Sequence, residues 1–327
     1  MSKIKVGIVG YGNLGRGAEQ AITQNDDMEL VAVFTRRDPS SVVIATESAQ
    51  VCHLDDVLQF KNDIDVMLLC GGSATDLPEQ VPALAKHFTT VDSFDTHALI
   101  PKFFDEVDVA AQAGGNVSII SVGWDPGLFS LNRLLGETVL PQGETYTFWG
   151  EGLSQGHSDA VRRIEGVKRG VQYTLPIEEA VNRVRSGENP QLTTREKHAR
   201  VCYIVADEGA DQKVIEETIV TMPNYFADYD TTVHFIDEAT FEKEHTGMPH
   251  GGFVIRSGES AQGDKQIVEF SLKLGSNPGF TSSVLVAYAR AAHRLTQKGA
   301  TGAHTVFDIP FGLLSPNDPA ELRKRLL

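Results

Sequence analysis

In the first third of the chain, apolar residues come in short unbroken runs, each ended by glycine or polar residues and followed by an amphipathic stretch. Ile4 to Val9 meets Gly10, then Ala18, Ala21 and Ile22 recur at helical spacing before the next run, Leu30 to Phe34. Unbroken runs are the mark of strands buried on both faces, so the pattern predicts a parallel sheet between helices. The alternation continues with a short strand near Val51 to Leu54, a helix from about Asp55 and a strand from Ile64 to Cys70. A helix opens at Asp76-Leu77-Pro78-Glu79, followed by a strand Thr89 to Ser93, a helix from about Pro101 to Ala113 and a strand Val117 to Val122. This is the grammar of an α/β, doubly wound Rossmann-type domain.

From about Trp124 the pattern changes. After a helix from about Pro126 to Leu140, the strand candidates alternate apolar and polar: Thr145 to Trp149, Val171 to Leu175, Arg200 to Ala206, Thr232 to Ile236, Gly252 to Arg256 and Gln266 to Leu274. Alternation means one buried face, which predicts a second, α+β domain with a mixed or antiparallel sheet, helices on one side and the other face open to a partner subunit. A helix Ser282 to Thr296 then leads back. The expected boundaries are 1–123, rejoined by about 298–327, and 124–297.

Ligands of an open doubly wound sheet bind beyond the carboxyl ends of its strands. Five loops should therefore converge on one crevice: Gly10-Tyr11-Gly12-Asn13-Leu14, Thr35-Arg36-Arg37, Cys70-Gly71-Gly72-Ser73, Ser93-Phe94-Asp95 and Val122-Gly123-Trp124-Asp125-Pro126. The first is a dinucleotide fingerprint, completed by Gly15. Gly10 permits the tight turn, Gly12 the approach of a pyrophosphate, and Gly15 close packing of helix on strand. An NAD site places an acidic residue about 20 residues beyond these glycines. Here stand Thr35, Arg36 and Arg37, two guanidiniums and a hydroxyl suited to a 2′-phosphate, so the expected cofactor is NADP. Asp38 leaves open a solvated surface pair instead.

A formal net charge of −15 argues against nucleic acid or an anionic membrane as partner. No apolar run approaches the roughly 18 to 20 residues of a membrane span, and Met1-Ser2-Lys3 leads straight into the first strand, so no signal peptide and a cytoplasmic location are expected. Cys52, Cys70 and Cys202 are too scattered for a disulfide framework or a zinc cluster, and no metal is expected.

Asp95 and Asp125 each follow a sheet strand, and two carboxylates at a cofactor crevice suit a cationic amine that they anchor and deprotonate. Asp125 also reads as a helix N-cap before Pro126. His157, in Ser154-Gln155-Gly156-His157-Ser158-Asp159, fits a loop or helix start better than a triad. His245 and His250 flank a glycine and a proline, which suits a substrate-facing polar loop rather than a metal helix. Arg195, Lys197, His198 and Arg200 enter a strand together; such a cluster is usually a solvated edge, but an inward Arg would clamp a carboxylate.

Seven stretches carry a resemblance to the meso-diaminopimelate dehydrogenases over essentially the full length. They are Val9 to Arg16, Phe34 to Arg37, Gly72 to Gln80, Gly123 to Gly127, Phe148 to Gly150, Leu153 to Asp159 and Thr246 to Gly252. The resemblance implies a homodimer and reversible, NADP-dependent oxidative deamination at the D-centre of meso-2,6-diaminopimelate. The products are L-2-amino-6-oxopimelate, ammonium and NADPH, a step of lysine biosynthesis. It implies cofactor contacts on the five loops above and substrate contacts on Asp95, Asp125, Trp149, Gln155, Gly156, Thr174, Arg200, His250 and Asn277, with Asp95 and Asp125 the candidate catalytic groups. Two rivals stand beside it. A sugar dehydrogenase with the same first domain usually carries Glu-Lys-Pro where this chain has Asp95-Thr96-His97, and a non-catalytic NADP(H) sensor would not need the crevice carboxylates or Trp149.

Overall fold

The computed structural model describes residues 2–327. The chain forms two compact units, one of residues up to Leu131 together with Pro278–Leu327, the other Asn132–Asn277. The joins expected at 123/124 and 297/298 both lie inside the first unit. The helix Asn277–Gln297 explains the second shift, because Val284, Leu285, Tyr288, Ala289 and Ala292 enter the same core as Val6, Ile8 and Leu68. Their spacing says that the helix is buried, not which unit buries it.

In the first unit, β1 (Ile4–Val9), β2 (Met28–Thr35), β3 (Gln50–His53), β4 (Val66–Leu69), β5 (Thr90–Asp92) and β6 (Val117–Ile119) join a parallel sheet with the late strand Gly302–His304. The order is Gly302–His304, β6, β5, β4, β1, β2, β3, so direction of progression reverses between β1 and β4. Both faces are covered. Val66 and Leu68 of β4 enter one apolar core, Met67 and Leu69 the other, and all four are buried. The helix expected from Asp55 is a 3-10 segment, Leu54–Phe60, whose one buried residue, Val57, gives an α-helix little to dock with.

The second unit holds β7 (Gln142–Trp149), β8 (Gly152–Leu153), β9 (Val167–Pro176), β10 (His198–Ala206), β11 (Asp230–Phe235), β12 (His250–Glu259) and β13 (Lys265–Leu274). The single sheet expected here is two: a mixed sheet β11-β10-β9-β8 and an antiparallel sheet β13-β12-β7. Gly150 makes the transfer between them. Its φ is +119°, and a Cβ there would lie 2.2 Å from the Thr174 carbonyl oxygen, so only glycine lets the chain leave β7 and pair with β9. Helices cover both faces of the mixed sheet rather than one. Val161, Ile215 and Ile219 pack with Cys202 and Ile204, whereas Phe241 packs with Val171 and Val205.

Candidate functional site

The strand-end loops of the first unit meet as their order requires. Gly10 has φ +88°, and a Cβ there would crowd the Cys70 carbonyl at 3.2 Å, so the β1 and β4 loops touch at the switch point. A Cβ on Gly15 would sit 2.2 Å from the Gly10 carbonyl oxygen, whereas one on Gly12 would meet nothing within 4 Å. The helix Asn13–Thr23 starts at Gly12 with no capping side chain and no acid in its first turn. Open space above uncapped N–H groups fits a pyrophosphate. Cys70 is buried and its thiol is pushed up to about 12 by desolvation, which keeps it out of nucleophilic chemistry.

The arginines after β2 are anchored rather than loose. Thr35 is buried and its hydroxyl accepts the Arg37 N–H at 3.1 Å, Arg37 Nη2 donates to the Tyr11 carbonyl at 2.9 Å, and Arg36 pairs with Asp76 at 2.9 Å. Asp38, the residue that could have taken a ribose hydroxyl, caps the turn Pro39–Ser41, accepting from Ser40 N at 2.9 Å and from its hydroxyl at 2.8 Å. Two cationic groups beside the fingerprint, with the nearby acid turned to its own turn, fit a 2′-phosphate.

Asp95 is exposed and Asp125 half-buried, on neighbouring loops. The Asp95 N–H donates to Ser73 Oγ at 2.9 Å, joining the β4 and β5 loops. Between β5 and β6 the link is Asp92, 0% exposed, whose Oδ1 accepts the N–H groups of Phe94 at 2.8 Å and Ser121 at 3.1 Å. The helix after Asp125 begins at Leu128, so Asp125 does not stand at its N-cap. Gly127 closes that turn at φ +128°, where a Cβ would lie 1.9 Å from the Gly123 carbonyl oxygen.

In the second unit Arg200 pairs across the strands with Thr174, and alternation turns both to the face that also carries Gln172 and Cys202. Arg200 is 7% exposed; its Nη1 donates to Thr174 Oγ1, its guanidinium lies 3.9 Å from the Tyr229 ring centroid, and its Nε has no partner. Among the described residues it has no carboxylate partner. Burial lowers its pKa from the ordinary value. Two imidazoles nearby stay neutral. His198 Nε2 accepts the Trp149 N–H at 2.8 Å and its ring stacks on the indole at 5.4 Å, while desolvation first and Arg200 second push its pKa down to about 3. The same two causes take His157, bonded to Ser154 Oγ at 2.8 Å, to about 4.

The loop Thr246 to Gly252 gathers the remaining expected residues. Met248 receives Gln155 Nε2 on its sulfur at 3.1 Å and Asn277 N–H on its carbonyl at 2.8 Å. A Cβ on Gly152 would lie 2.4 Å from the His250 ring, and Gly156 faces open space. His245 caps the helix Glu238–Glu244, stacks on Tyr203 at 4.1 Å and bonds Tyr173 Oη at 3.1 Å; with His250 it lines a cavity of about 780 Å³ whose strand residues Tyr173, Val201 and Tyr203 lie on the sheet face away from Arg200. Arg195 is exposed and paired with Asp230 at 2.5 Å.

Sequence reasoning missed Asp92, Tyr229 and the structural part of His198. An acid closing an otherwise apolar strand end was the available signal for Asp92. Tyr229 lies in an aperiodic segment with no such signal.

Residues 123–276 match the family model described as the diaminopimelic acid dehydrogenase C-terminal domain. The meso-diaminopimelate D-dehydrogenase of Lysinibacillus sphaericus is 74% identical over the whole of both chains. The structure of the C. glutamicum DAP dehydrogenase in complex with DAP is 50% identical, covers 100% of each chain and superposes with a TM-score of 0.92. An engineered D-amino acid dehydrogenase bound to NADP+ is 48% identical with the same coverage and a TM-score of 0.87.

Proposed function

The chain belongs to the meso-diaminopimelate dehydrogenase family, and from that premise we propose that it carries out reversible, NADP-dependent oxidative deamination at the D-centre of meso-2,6-diaminopimelate. The observation that carries the reading is Arg200, a buried guanidinium with no carboxylate partner among the described residues, which asks for an anionic ligand. The substrate's distal carboxylate is that ligand. Thr174 and His250 fill further acceptor sites on it, Gln155, Gly156 and Asn277 line the same end, and Trp149 excludes water.

NADP supplies a hydride acceptor. The cofactor contacts proposed are Gly10 to Gly15, Thr35 to Arg37, Cys70 to Ser73, Ser93 to Asp95 and Val122 to Pro126, with Arg36 and Arg37 on the 2′-phosphate. Asp95 and Asp125 hold the D-amine and take its proton, so that the nitrogen lone pair is free as the C–H bond breaks. Water then releases ammonium from the imine, leaving L-2-amino-6-oxopimelate. The absent Glu-Lys-Pro triplet and the unpaired clamp both favour an amino acid over a sugar. We further propose a cytoplasmic homodimer. Ile267 and Val268, 38% and 37% exposed on the outer strand β13, support a subunit contact there.

The test is NADPH formation with separated diaminopimelate stereoisomers. The meso isomer should be oxidised and the L,L isomer should not; oxidation of both, or of neither, defeats the reading.

A further inference from the structure

We propose that Asp92 is a positioning residue for the deamination, its buried Oδ1 setting the spacing of the loops that carry Asp95 and Asp125. The inference rests on the reading of those two carboxylates given above.

Asp92 closes β5 and touches both loops at once. Its Oδ1 accepts the Phe94 N–H, in the segment leading to Asp95, and the Ser121 N–H, at the start of the segment leading to Asp125. Its own carbonyl accepts the Val122 N–H at 2.8 Å. Ser121 has φ +56°, a left-handed conformation that a serine adopts only when its surroundings impose it. The bond to Oδ1 is one such constraint. The rest of each loop is held independently. Phe94 stacks on Phe103 at 4.1 Å and the Asp95 N–H bonds Ser73, while Trp124 packs edge-on to Phe129 at 5.3 Å. Asp92 is therefore a side chain that bonds both loops at once.

The position is an expensive place for a carboxyl. Oδ2 is buried with no partner, and desolvation outweighs the two N–H bonds, pushing the pKa up to about 7. What the carboxyl does there is hold two backbone N–H groups that belong to different loops. Asparagine keeps the acceptor in place. An apolar residue of similar size leaves both N–H groups unpaired and frees Ser121 to relax.

The experiment compares Asp92→Asn and Asp92→Leu with wild type in the full-length enzyme, reading NADP affinity, thermal midpoint, and kcat and KM for meso-diaminopimelate separately. In Asp92→Leu, kcat should fall by about tenfold or more, since displacements near 1 Å at a reacting centre cost on the order of a hundredfold, and NADP affinity should weaken with it, because the same two loops carry proposed cofactor contacts. Asp92→Asn should recover most of kcat. Where Asp92→Leu does not fold, Asp92→Ser, whose hydroxyl is too short to reach both N–H groups, carries the same expectation. Lowered stability with kcat unchanged, or an Asn variant as impaired as the Leu variant, overturns the proposal. Failure of the wild type to oxidise meso-diaminopimelate would instead remove the functional reading beneath it.

Discussion

Replacing Arg200 with Met removes the guanidinium but keeps a side chain that can lie along the Tyr229 ring. Among the described residues the partners of the wild-type guanidinium are Thr174 Oγ1 and the Tyr229 side chain, and Nε, which has none, is open to a ligand. A bidentate carboxylate would form two charge-assisted bonds of about 1.5–3 kcal/mol each, together about 3–6 kcal/mol. At about 1.4 kcal/mol per decade, kcat/KM for meso-diaminopimelate should fall roughly 10²–10⁴-fold. D-Norleucine, which lacks the distal carboxylate, should lose little or gain, because wild type must leave the guanidinium unpaired when binding it. Stability should respond in the opposite sense. A desolvated charge with no acid beside it is costly, so Arg200→Met should melt at the same temperature as wild type or above, while losing the upward shift that meso-diaminopimelate gives wild type. The assay is initial-rate NADPH formation on both substrates together with scanning fluorimetry. An unchanged preference between the two substrates would refute the clamp and make Arg195, already paired with Asp230, the next residue to change.

Arg36→Ala/Arg37→Ala should weaken NADP by about 1.5–3 kcal/mol per lost charged contact and leave NAD nearly unaffected; equal loss of both cofactors in a titration would sink the 2′-phosphate assignment. Thermal stability should rise with pH between about 4 and 6.5. His157 and His198 have folded values depressed to about 4 and about 3, so their contribution is present above the unfolded value and lost as pH falls toward the folded ones. Asp92, raised to about 7, works against them: its contribution is complete below the unfolded carboxylate value and is lost as pH rises through about 7. His245, also lowered by burial, adds in the same direction as the other two rings, so the net slope over this window is positive, and a flat or falling melting curve over that window contradicts the neutral imidazoles. The homodimer should appear in light scattering at about twice the 35.6 kDa chain mass, with a concentration-independent monomer the refuting result.

Much of the first unit was legible because its information is local. The fingerprint glycines, the apolar runs and the residue types after each run all sit within a few positions of what they do, and Gly10 and Gly15 take up the turn and the close packing that the fingerprint predicts. The second unit was harder to read for a physical reason. Alternation says which side chains of a strand are buried, but not which strand lies alongside, so six candidate strands could be read as one sheet. The crossing at Gly150 and the short β8 depend on a backbone approach to Thr174 that spacing does not encode. The same gap concealed the register that brings Arg200 to Thr174, 26 positions away. His198 read as one more cation of a basic cluster, yet it accepts the Trp149 N–H and must be neutral to do so.

That neutrality bears on how the substrate is measured. A cationic His198 or His157 beside Arg200 would give the pocket surplus positive charge, able to satisfy itself with any small anion. Because burial and Arg200 hold both rings neutral at ordinary pH, the Arg200 guanidinium carries its charge beside neutral imidazoles, Thr174 and the Tyr229 ring. One carboxylate satisfies it, and an apolar chain end leaves it bare. Discrimination then comes from the penalty on the wrong substrate as much as from attraction of the right one. The penalty already exists in the free protein, as a guanidinium without an acid, so selectivity of this kind is accompanied by lost stability. Variants that broaden acceptance of monocarboxylic D-amino acids should accordingly become more stable, not less, when they act by neutralising this position.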